Sequence, residues 1–417
     1  MGYTRDAIRG ISWITLLRIS TRIITFIRLA VLGRLLTPAQ FGYFGIATLI
    51  LSLLEILTET GINVFLVQEK GHIGEYINSA WVVSIIRGII LSLLIIISAP
   101  FISSFFNAPD AYSVIVLIAI VPFIRGFINP AIITYQKDLL FDKEFRLRFL
   151  LFLVDVVISI IVGIITKSAE SFAYGLIAAG LLEVLLSYIF IPIRPVLQFE
   201  LEKIKKVIRK GWWVTLTGIF LYIADNGDNI TVGKILGSGS LGIYQVAYKF
   251  STLPISEITS VINQVIFPVY TRFSEDKERL WKAFLKVTTI SSLSALALGG
   301  AIFILAKPII LLFMGGQWAS AIPVIQILSL YGVLRTVFGN FPPLFLSVGK
   351  QKYIAQATFL RGLGLLISVF PFVIYFGMLG AGYSMLFSIF FEIPALLYFT
   401  SKIFKKTKQS QPWAEGR

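Results

Sequence analysis

The sequence predicts an all-α integral membrane protein in which twelve transmembrane helices form two pseudo-symmetric six-helix lobes around a central cavity, with the N- and C-termini cytoplasmic. The mean hydropathy is +0.84 and only 14% of the 417 residues are charged, whereas a soluble chain carries about a quarter charged residues. Apolar runs long enough to cross a bilayer recur along the whole chain. An internal duplication divides these runs into two sets of six.

The duplication is visible without gaps. LGRLLTPAQFGYFGIA, residues 32–47, returns as VGKILGSGSLGIYQVA at 232–247. Ten residues between positions 9 and 50 recur identically 200 positions later, where chance would give about three. In the first copy they are Arg9, Trp13, Thr15, Leu16, Ile19, Ile23, Gly33, Leu36, Gly42 and Ala47. Because transporters built from internal repeats hold their site where the repeats meet, the duplication predicts a transporter.

The predicted transmembrane helices are apolar stretches of about 20 to 30 residues. In the first half they cover residues 8–36, 41–67, 79–106, 111–135, 145–166 and 172–193. After a basic amphipathic stretch at 197–210, the second half continues with 211–236, 241–270, 284–314, 319–348, 353–376 and 380–404. We therefore expect an N-terminal lobe over residues 1–196 and a C-terminal lobe over 197–417, ending in a short basic tail.

Lysine and arginine residues predict the orientation, because short cytoplasmic segments of membrane proteins are enriched in them. With the N-terminus inside, the inner segments hold 25 of the 37, and the outer segments hold only Arg34, Lys167, Lys234 and Lys307. Both termini are then cytoplasmic. An even number of helices per half makes the repeats parallel, related by an axis along the membrane normal.

Several function classes are excluded by what the sequence lacks. There is no cysteine, so thiol chemistry is absent. The single histidine, His72, lies in an inner loop beside Glu69 and Glu75 and is expected to be solvated. No Walker loop, dinucleotide fingerprint or basic folded surface for nucleic acid is present. We expect no catalytic residues, no metal site, no cofactor and no enzyme activity.

Ionisable residues at membrane depth point to function, because they are costly in lipid and face a cavity or one another. Helix 1 carries six polar residues within an arc of about 140°, namely Thr15, Arg18, Thr21, Arg22, Thr25 and Arg28. Its repeat partner, helix 7, carries a similar stripe of Thr215, Thr217, Tyr222, Asp225, Asp228 and Asn229. The stripes are in register and opposite in charge. They predict a central cavity with one basic wall and one acidic wall.

Arg28 is the leading candidate for a ligand-facing cation, because helix 2 has no acid at its depth. The rival interpretation is an ion pair with Asp228. Arg87 and Arg125 are secondary candidates, and Arg87 is shallow enough to reach the inner headgroups.

Arg18 and Arg22 also have two interpretations. They are candidates for binding an anionic ligand. However, Glu59 and Glu55 lie at matching depths on helix 2, so a structural ladder of ion pairs between helices 1 and 2 is an equal alternative.

The acidic stripe is open to more than one role as well. Asp225 and Asp228 are candidates for Na⁺ or proton coupling, or for a gating ion pair. Glu183 and Glu392, at matched places in helices 6 and 12, are expected to brace the two halves. Other ionisable residues at membrane depth receive no role at this stage, Lys249, Glu257, Arg335 and Arg361 among them.

Blocks of this sequence resemble a known family. They include LGRLLTPAQFGYFGIATLI, ETGINVFLVQ, SAWVVSIIRG, GFINPAIITYQKDLLF, ADNGDNITVGKILGSGSLGIYQVAYKF and LPISEITSVINQVIFPVYTRFSED. The chain resembles the polysaccharide exporters of the O-antigen, colanic-acid and teichuronic-acid flippase type. That group belongs to the multidrug/oligosaccharidyl-lipid/polysaccharide (MOP) flippase superfamily, with the lipid II flippase and the multidrug and toxin extruders. The resemblance runs from about residue 5 to residue 350.

The resemblance implies two six-helix lobes that open alternately to either side, and a substrate made of a short glycan on a polyprenyl pyrophosphate. By this resemblance, Arg18, Arg22 and Arg28 are the candidates for binding the pyrophosphate. A pyrophosphate suits desolvated arginines, and sugars suit the hydroxyl and amide groups of Thr15, Thr21, Thr25, Thr215, Tyr222 and Asn229. We expect a monomer in the cell (plasma or inner) membrane, with membrane lipid and the glycan-assembly machinery as its partners.

Two other functions stay open. An ion-coupled antiporter of drugs or small molecules would use the same scaffold, with an acid-lined pocket and no need for the helix 1 arginines. A membrane glycan polymerase or ligase would need large outer loops carrying catalytic residues. Here the outer connections are a few residues long, except near 107–110, so this third alternative is the weakest.

Overall fold

The computed structural model describes residues 2–58, 74–198 and 201–405, which form helices and turns without a β-strand. The helices are α1 (Gly2–Leu35), α2 (Pro38–Leu57), α3 (Gly74–Phe105), α4 (Ala111–Ile118), α5 (Ile120–Gly126), α6 (Thr134–Lys137), α7 (Phe141–Thr166), α8 (Glu170–Phe190), α9 (Leu201–Arg272), α10 (Lys277–Phe313), α11 (Ala321–Phe338), α12 (Phe341–Ser347), α13 (Gln351–Phe376) and α14 (Met378–Phe404). Short 3₁₀ turns precede α6 and α11, at Pro130–Ile133 and Gly316–Trp318.

Eight of these helical stretches, with α11 and α12 counted together, are long and apolar enough to cross a membrane. The pair formed by residues 111–126 and 130–137 raises the number to nine if it counts as one bent span. Large apolar side chains such as Ile97, Ile165 and Ile304 stay exposed on the outside of the bundle, as expected where lipid replaces water as the solvent. The chain is a multi-pass membrane protein.

The fourth predicted helix, 111–135, is broken in the structure. The chain bends by 78° between α5 and the turn at Pro130. Pro130 lacks a backbone N–H and disfavours helical geometry at the residue before it. The buried Asn129 stabilises the bend, because its Oδ1 accepts a hydrogen bond from the N–H of Ala131 (3.0 Å) and its Nδ2 donates to the carbonyl oxygen of Ile193 (2.7 Å).

The predicted helices 211–236 and 241–270 are joined in α9, which turns sharply at Gly237. Its φ of +83° lies in the region that only glycine adopts without strain. We call the parts of α9 before and after Gly237 the first arm and the second arm. The basic stretch predicted at 197–210 forms the beginning of the first arm, from Leu201 onward.

Helices that follow one another in sequence are not always neighbours in space. α1 packs along α7, whereas α2 packs along α9. One large core cluster joins the two halves of the chain, and Leu32, Ile46, Tyr244 and Trp318 are fully buried members of it.

The beginnings of α2 and the second arm touch through backbone. A β-carbon added at Gly42 would lie 1.9 Å from the carbonyl oxygen of Ser238, and one added at Gly242 would lie 2.0 Å from that of Pro38. Gly42 and Gly242 are equivalent in the duplication, as are Pro38 and Ser238, so the contact is reciprocal. We call it the glycine contact, and we call the end of the bundle where it lies the closed end.

Further contacts at the closed end also come in related pairs. Arg34 donates to the carbonyl oxygen of Leu312 at the end of α10, and Lys234 donates through Nζ to that of Phe105 at the end of α3 (2.7 Å). The indole Nε1 of Trp318 adds a hydrogen bond of 2.7 Å to the carbonyl oxygen of Gly33. These bonds tie the end of α1 to residues of the second half.

Candidate functional site

Arg18, Arg22 and Arg28 lie away from the most exposed side of α1. The most exposed side of this helix is apolar and consists of Leu16, Ile19, Ile23 and Ile27. Arg18, Arg22 and Arg28 lie on other sides and are only partly exposed. The apolar side of α1 is therefore its outer side, and these three arginines lie on its other sides.

Arg28 is held by an aspartate of the first half. Its Nη1 lies 2.9 Å from Oδ2 of Asp155 on α7, and the two side chains are 14% and 7% exposed. Asp155 also accepts a hydrogen bond from Ser159. The Arg28 guanidinium lies within 6.0 Å of the ring centres of Phe152 and Phe172. The ion pair with Asp228 is not formed, because α1 packs on α7.

The predicted ladder between helices 1 and 2 is wrong at Arg22. Its Nε lies 2.9 Å from Oε1 of Glu257 on the second arm of α9, so this ion pair joins the two halves. The carbonyl oxygen of Glu55 instead accepts a hydrogen bond from Arg87 (2.8 Å). The reason is again packing, since α2 lies against α9 and not against α1. Glu59, the expected partner of Arg18, lies outside the described residues.

The threonines of the α1 stripe are partly exposed. Thr21 and Thr25 donate their hydroxyl hydrogens to carbonyl oxygens one turn earlier, at 2.8 Å and 2.7 Å. Their oxygens can still accept hydrogen bonds. Thr15 lies on the same helix, whereas the side chains of Thr215 and Thr217 are outside the described part of the structure.

The acidic stripe divides between the cavity wall and the protein interior. Asp228 is fully buried and accepts hydrogen bonds from the Tyr244 hydroxyl (2.7 Å) and from Asn229 (3.0 Å). Asp225 is accessible and pairs with Arg361 on α13 at 3.2 Å. Asp225 is thus the carboxylate of this stripe that a ligand can reach.

Tyr222 was predicted to line the cavity, and the structure corrects this. The side chain is buried, and its hydroxyl donates to the carbonyl oxygen of Leu49 at 2.5 Å. It packs where the first arm crosses α2, so it joins the halves rather than presenting a polar group to a ligand.

A cavity of about 370 Å³ lies between α2, both arms of α9 and α11. We call it the central cavity. Its wall is mostly polar and consists of Thr48, Leu49, Ser52, Asp225, Asn226, Asn229, Gln245, Tyr248, Lys249 and Arg335. Asn229 and Asp225, two residues of the acidic stripe, are thus part of this wall.

Lys249 and Arg335 were not singled out by the sequence argument. Arg335 donates to the Tyr331 hydroxyl at 2.9 Å. Within the described residues, Lys249 has no hydrogen bond or ion pair, and Arg28 is near enough to repel it electrostatically. The duplication contained a signal for Lys249, because its equivalent in the first half is the apolar Leu49. A lysine introduced at membrane depth is by default functional.

Glu183 and Glu392 brace their own halves rather than one half against the other. Glu183 lies 3.9 Å from Arg125, and Glu392 lies 3.7 Å from Arg361. Within the described ranges, no three His, Asp or Glu side chains are grouped closely enough to hold a metal ion.

Arg87 and Arg125, the secondary candidates, line a different cavity. This space of about 370 Å³ lies inside the first half, and we call it the first-half chamber. Its polar lining consists of Glu55, Ser84, Arg87, Arg125, Gln136, Arg148 and Glu183. The structure therefore separates Arg87 and Arg125 from the central cavity.

Residues 31–323 match the family described as polysaccharide biosynthesis protein. The lipopolysaccharide biosynthesis protein WzxC of Escherichia coli (strain K12) is 24% identical over 342 residues, which are 82% of this chain and 69% of that protein. The fold is similar to the lipid II flippase MurJ in an inward closed conformation (TM-score 0.77, 14% identity, covering 93% of this chain and 89% of that one). It is also similar to an inward-facing MATE family multidrug resistance transporter of the MOP superfamily (TM-score 0.70, 17% identity, covering 95% and 100%). The chain belongs to the polysaccharide biosynthesis protein family.

Proposed function

We propose that the chain is a flippase, and not an enzyme, that moves a polyprenyl-pyrophosphate-linked oligosaccharide from the cytoplasmic to the outer leaflet for export of cell-surface polysaccharide. The observation that carries the proposal is the central cavity, a polar space between halves related by duplication, with Lys249 and Arg335 on its wall. A lipid-linked anion with a sugar head needs such a space within a fold that meets lipid on all sides.

The transport cycle is alternating access of two lobes, residues 1–196 and 197–417. The reciprocal glycine contact and the paired bonds of Arg34 and Lys234 support this division. Adding α1 and the two arms of α9 to the nine spans counted above gives twelve transmembrane helices. We orient them with both termini in the cytoplasm and the closed end at the outer surface of the membrane. We place the protein in the inner membrane as a monomer that works beside the glycan-assembly machinery.

The pyrophosphate is assigned to Arg28 and Lys249, two cations from opposite halves that repel one another electrostatically. Two like charges at this depth repel unless an anion lies between them. A pyrophosphate would supply that anion and accept bidentate hydrogen bonds from the guanidinium. Arg18 and Arg22 lie nearer the beginning of α1, and we assign them to the path that the head group follows.

Asp155 holds Arg28 in place until the substrate arrives. The pair is nearly buried, so leaving either charge alone would cost about 3–5 kcal/mol. A bound pyrophosphate would share the guanidinium with Asp155 and offset this cost. The sugars are assigned to the amide groups of Asn226, Asn229 and Gln245 on the cavity wall, and to the hydroxyl groups of Thr21 and Thr25 on α1.

The antiporter alternative has less support, because the wall of the central cavity carries two cations and one carboxylate rather than a cluster of acids. If transport is coupled to Na⁺ or protons, Asp225 is the group that we assign to coupling. Its pairing with Arg361 would then have to open during the cycle. No bound cofactor is required.

A comparison of a single and a double variant tests the role of Arg28. We would reconstitute the protein with a fluorescent lipid-linked oligosaccharide and measure both its flipping and the melting temperature of the protein. Arg28→Ala leaves Asp155 unpaired and should lower stability, whereas the double variant Arg28→Ala/Asp155→Asn should recover most of it. The two roles of Arg28 then separate, because a residue needed only for packing would regain transport together with stability.

We expect the double variant to fold well and to transport at background rates. Normal flipping by this variant would refute the assignment of the pyrophosphate to Arg28. If the unsubstituted protein flips no lipid-linked glycan but exports cationic dyes against an ion gradient, the antiporter function replaces the proposed one.

A further inference from the structure

We infer that the first half holds a second binding site, outside the central cavity, for the phosphate head and the adjoining lipid chain of an anionic lipid. The inference rests on the proposed function in one respect, since we take this lipid to be the lipid-linked substrate before it enters the central cavity. The juxtaposition behind it is an apolar groove that leads into an arginine-lined chamber.

The groove lies between α1 and α7 and has a volume of about 330 Å³. Its apolar wall consists of Trp13, Ile14, Leu17, Phe141 and Phe145. The rings of Trp13 and Phe145 lie 5.0 Å apart. At Gly10 the helices come so close that an added β-carbon would lie 2.5 Å from the Phe141 ring. The groove thus has aromatic walls and suits a hydrocarbon chain.

The same groove ends in polar groups. Gln136, Glu144 and Arg148 complete its lining. Glu144 Oε1 accepts hydrogen bonds from Gln136 Nε2 (2.7 Å) and from Arg148 Nε (2.8 Å). The Arg148 side chain remains 54% exposed. Its guanidinium therefore keeps N–H donors that can bind a further acceptor, because Glu144 accepts a hydrogen bond only from Nε of Arg148.

Gln136 and Arg148 also line the first-half chamber and a small cavity of about 50 Å³ beside Glu183. One glutamine and one arginine thus border all three spaces. The chamber wall carries three guanidinium groups, from Arg87, Arg125 and Arg148, and two carboxylates, from Glu55 and Glu183. With Glu144 of the groove, three carboxylates face the three guanidinium groups. An anion here would therefore bind through hydrogen bonds from the remaining Arg148 donors, because a guanidinium binds phosphate in this way.

These spaces together have the shape of an amphiphile with a negative head. The hydrocarbon chain would lie against Trp13 and Phe145, the phosphate would bind Arg148, and the head group would extend into the chamber. The second arm of α9 contributes no residue to the lining of these spaces. A lipid bound here would therefore not need the two halves to separate, as loading before transport requires.

The chain offers a direct test, because it has no cysteine. Leu17→Cys would carry an environment-sensitive fluorophore in the groove, with the protein in phosphatidylcholine nanodiscs. The probes are undecaprenyl pyrophosphate, undecaprenol and inorganic pyrophosphate. We expect the first to change the fluorescence with at least tenfold higher affinity than the other two, because only it fills both the groove and the arginine site.

Arg148→Gln should weaken the binding of undecaprenyl pyrophosphate by about tenfold or more, the range for losing a charge-assisted hydrogen bond. Arg146→Gln is the matched control, since this arginine lies on the same helix, is 75% exposed and lines none of the three spaces. Equal affinities of the two variants would overturn the inference. So would equal binding of undecaprenol, or complete competition by phosphatidylglycerol, which would make the groove a site for bulk lipid.

The proposed function can fail separately. Lys249→Gln should abolish flipping and leave the fluorescence titration unchanged, because Lys249 lies in the central cavity. If the unsubstituted protein flips no lipid-linked glycan but binds undecaprenyl pyrophosphate through Arg148, the site stands and the flippase function falls. If it flips the glycan and the titration shows no Arg148-dependent binding, the flippase function stands and this site falls.

Discussion

The glycine contact gives the sharpest prediction about the transport cycle. In the structure Gly42 and Gly242 let two backbones meet at the closed end, with no room for a methyl group on either. Gly42→Ala should therefore destabilise the closed end selectively and shift the protein towards the state that opens there. Gly242→Ala should act in the same way, because the contact is reciprocal.

The size of the effect follows from the distances. A carbon and a carbonyl oxygen in contact lie about 3.3 Å apart, and the added β-carbon would lie 1.9 Å from the oxygen of Ser238. The helices must then separate by about 1.4 Å. Overpacking of this kind costs about 1–3 kcal/mol. Because the cost falls on one state of the cycle, the equilibrium ratio of the other state to this one should rise by about 5- to 150-fold.

Labelling of a single cysteine measures the shift. Thr48→Cys places a thiol on the wall of the central cavity in a chain that has no other, and a membrane-impermeant maleimide is added from the side of the closed end. Gly239→Ala is the control, because a β-carbon there would have no atom within 4 Å. We expect faster labelling with Gly42→Ala than with Gly239→Ala, and slower labelling from the opposite side. Equal rates for Gly42→Ala and Gly239→Ala would refute the argument.

Two further predictions concern single side chains. Lys249→Gln should leave the melting temperature unchanged or raise it, because this lysine has no partner among the described residues and a lone cation at membrane depth is costly. Flipping of lipid-linked glycan by this variant should fall to background. A variant that transports normally would remove Lys249 from the site. Tyr222→Phe should lower the free energy of unfolding by about 1–3 kcal/mol, since the carbonyl oxygen of Leu49 loses its buried donor. The affinity for substrate, measured by titration, should stay the same. A loss of affinity without a loss of stability would restore Tyr222 to the cavity wall.

Much of the fold could be predicted from the sequence because its signals are local. Hydropathy identified the apolar stretches, and the duplication placed their equivalent residues. The break near Pro130 was missed because a run of apolar residues gives the same average whether it is one helix or two. The effect of the proline depends on Asn129, whose amide donates to the carbonyl oxygen of Ile193, 64 residues away in sequence.

The site was harder to predict, because depth along a helix does not decide which helix lies opposite. Arg22 and Glu55 were paired on depth alone, and the structure gives Arg22 a partner in the other half, Glu257. Periodicity likewise placed Asp225 and Asp228 on one stripe. Three residues apart on a helix, they differ by about 60° in direction, which suffices to put one on the cavity wall and the other in the interior.

The contacts at the two ends of the cavity differ in kind, and the difference bears on how the protein could cycle. At the closed end the halves meet through backbone at Gly42 and Gly242 and through the buried hydrogen bond of Trp318. Among the described residues near the other end, the ion pair of Arg22 and Glu257 joins them with both side chains partly exposed. Such pairs contribute about 1 kcal/mol or less. In the proposed cycle, a substrate bound between Arg28 and Lys249 would reverse the balance by favouring the other state by a few kcal/mol. Glycine at positions 42 and 242 allows the closed end to form without steric overlap, so both states stay accessible.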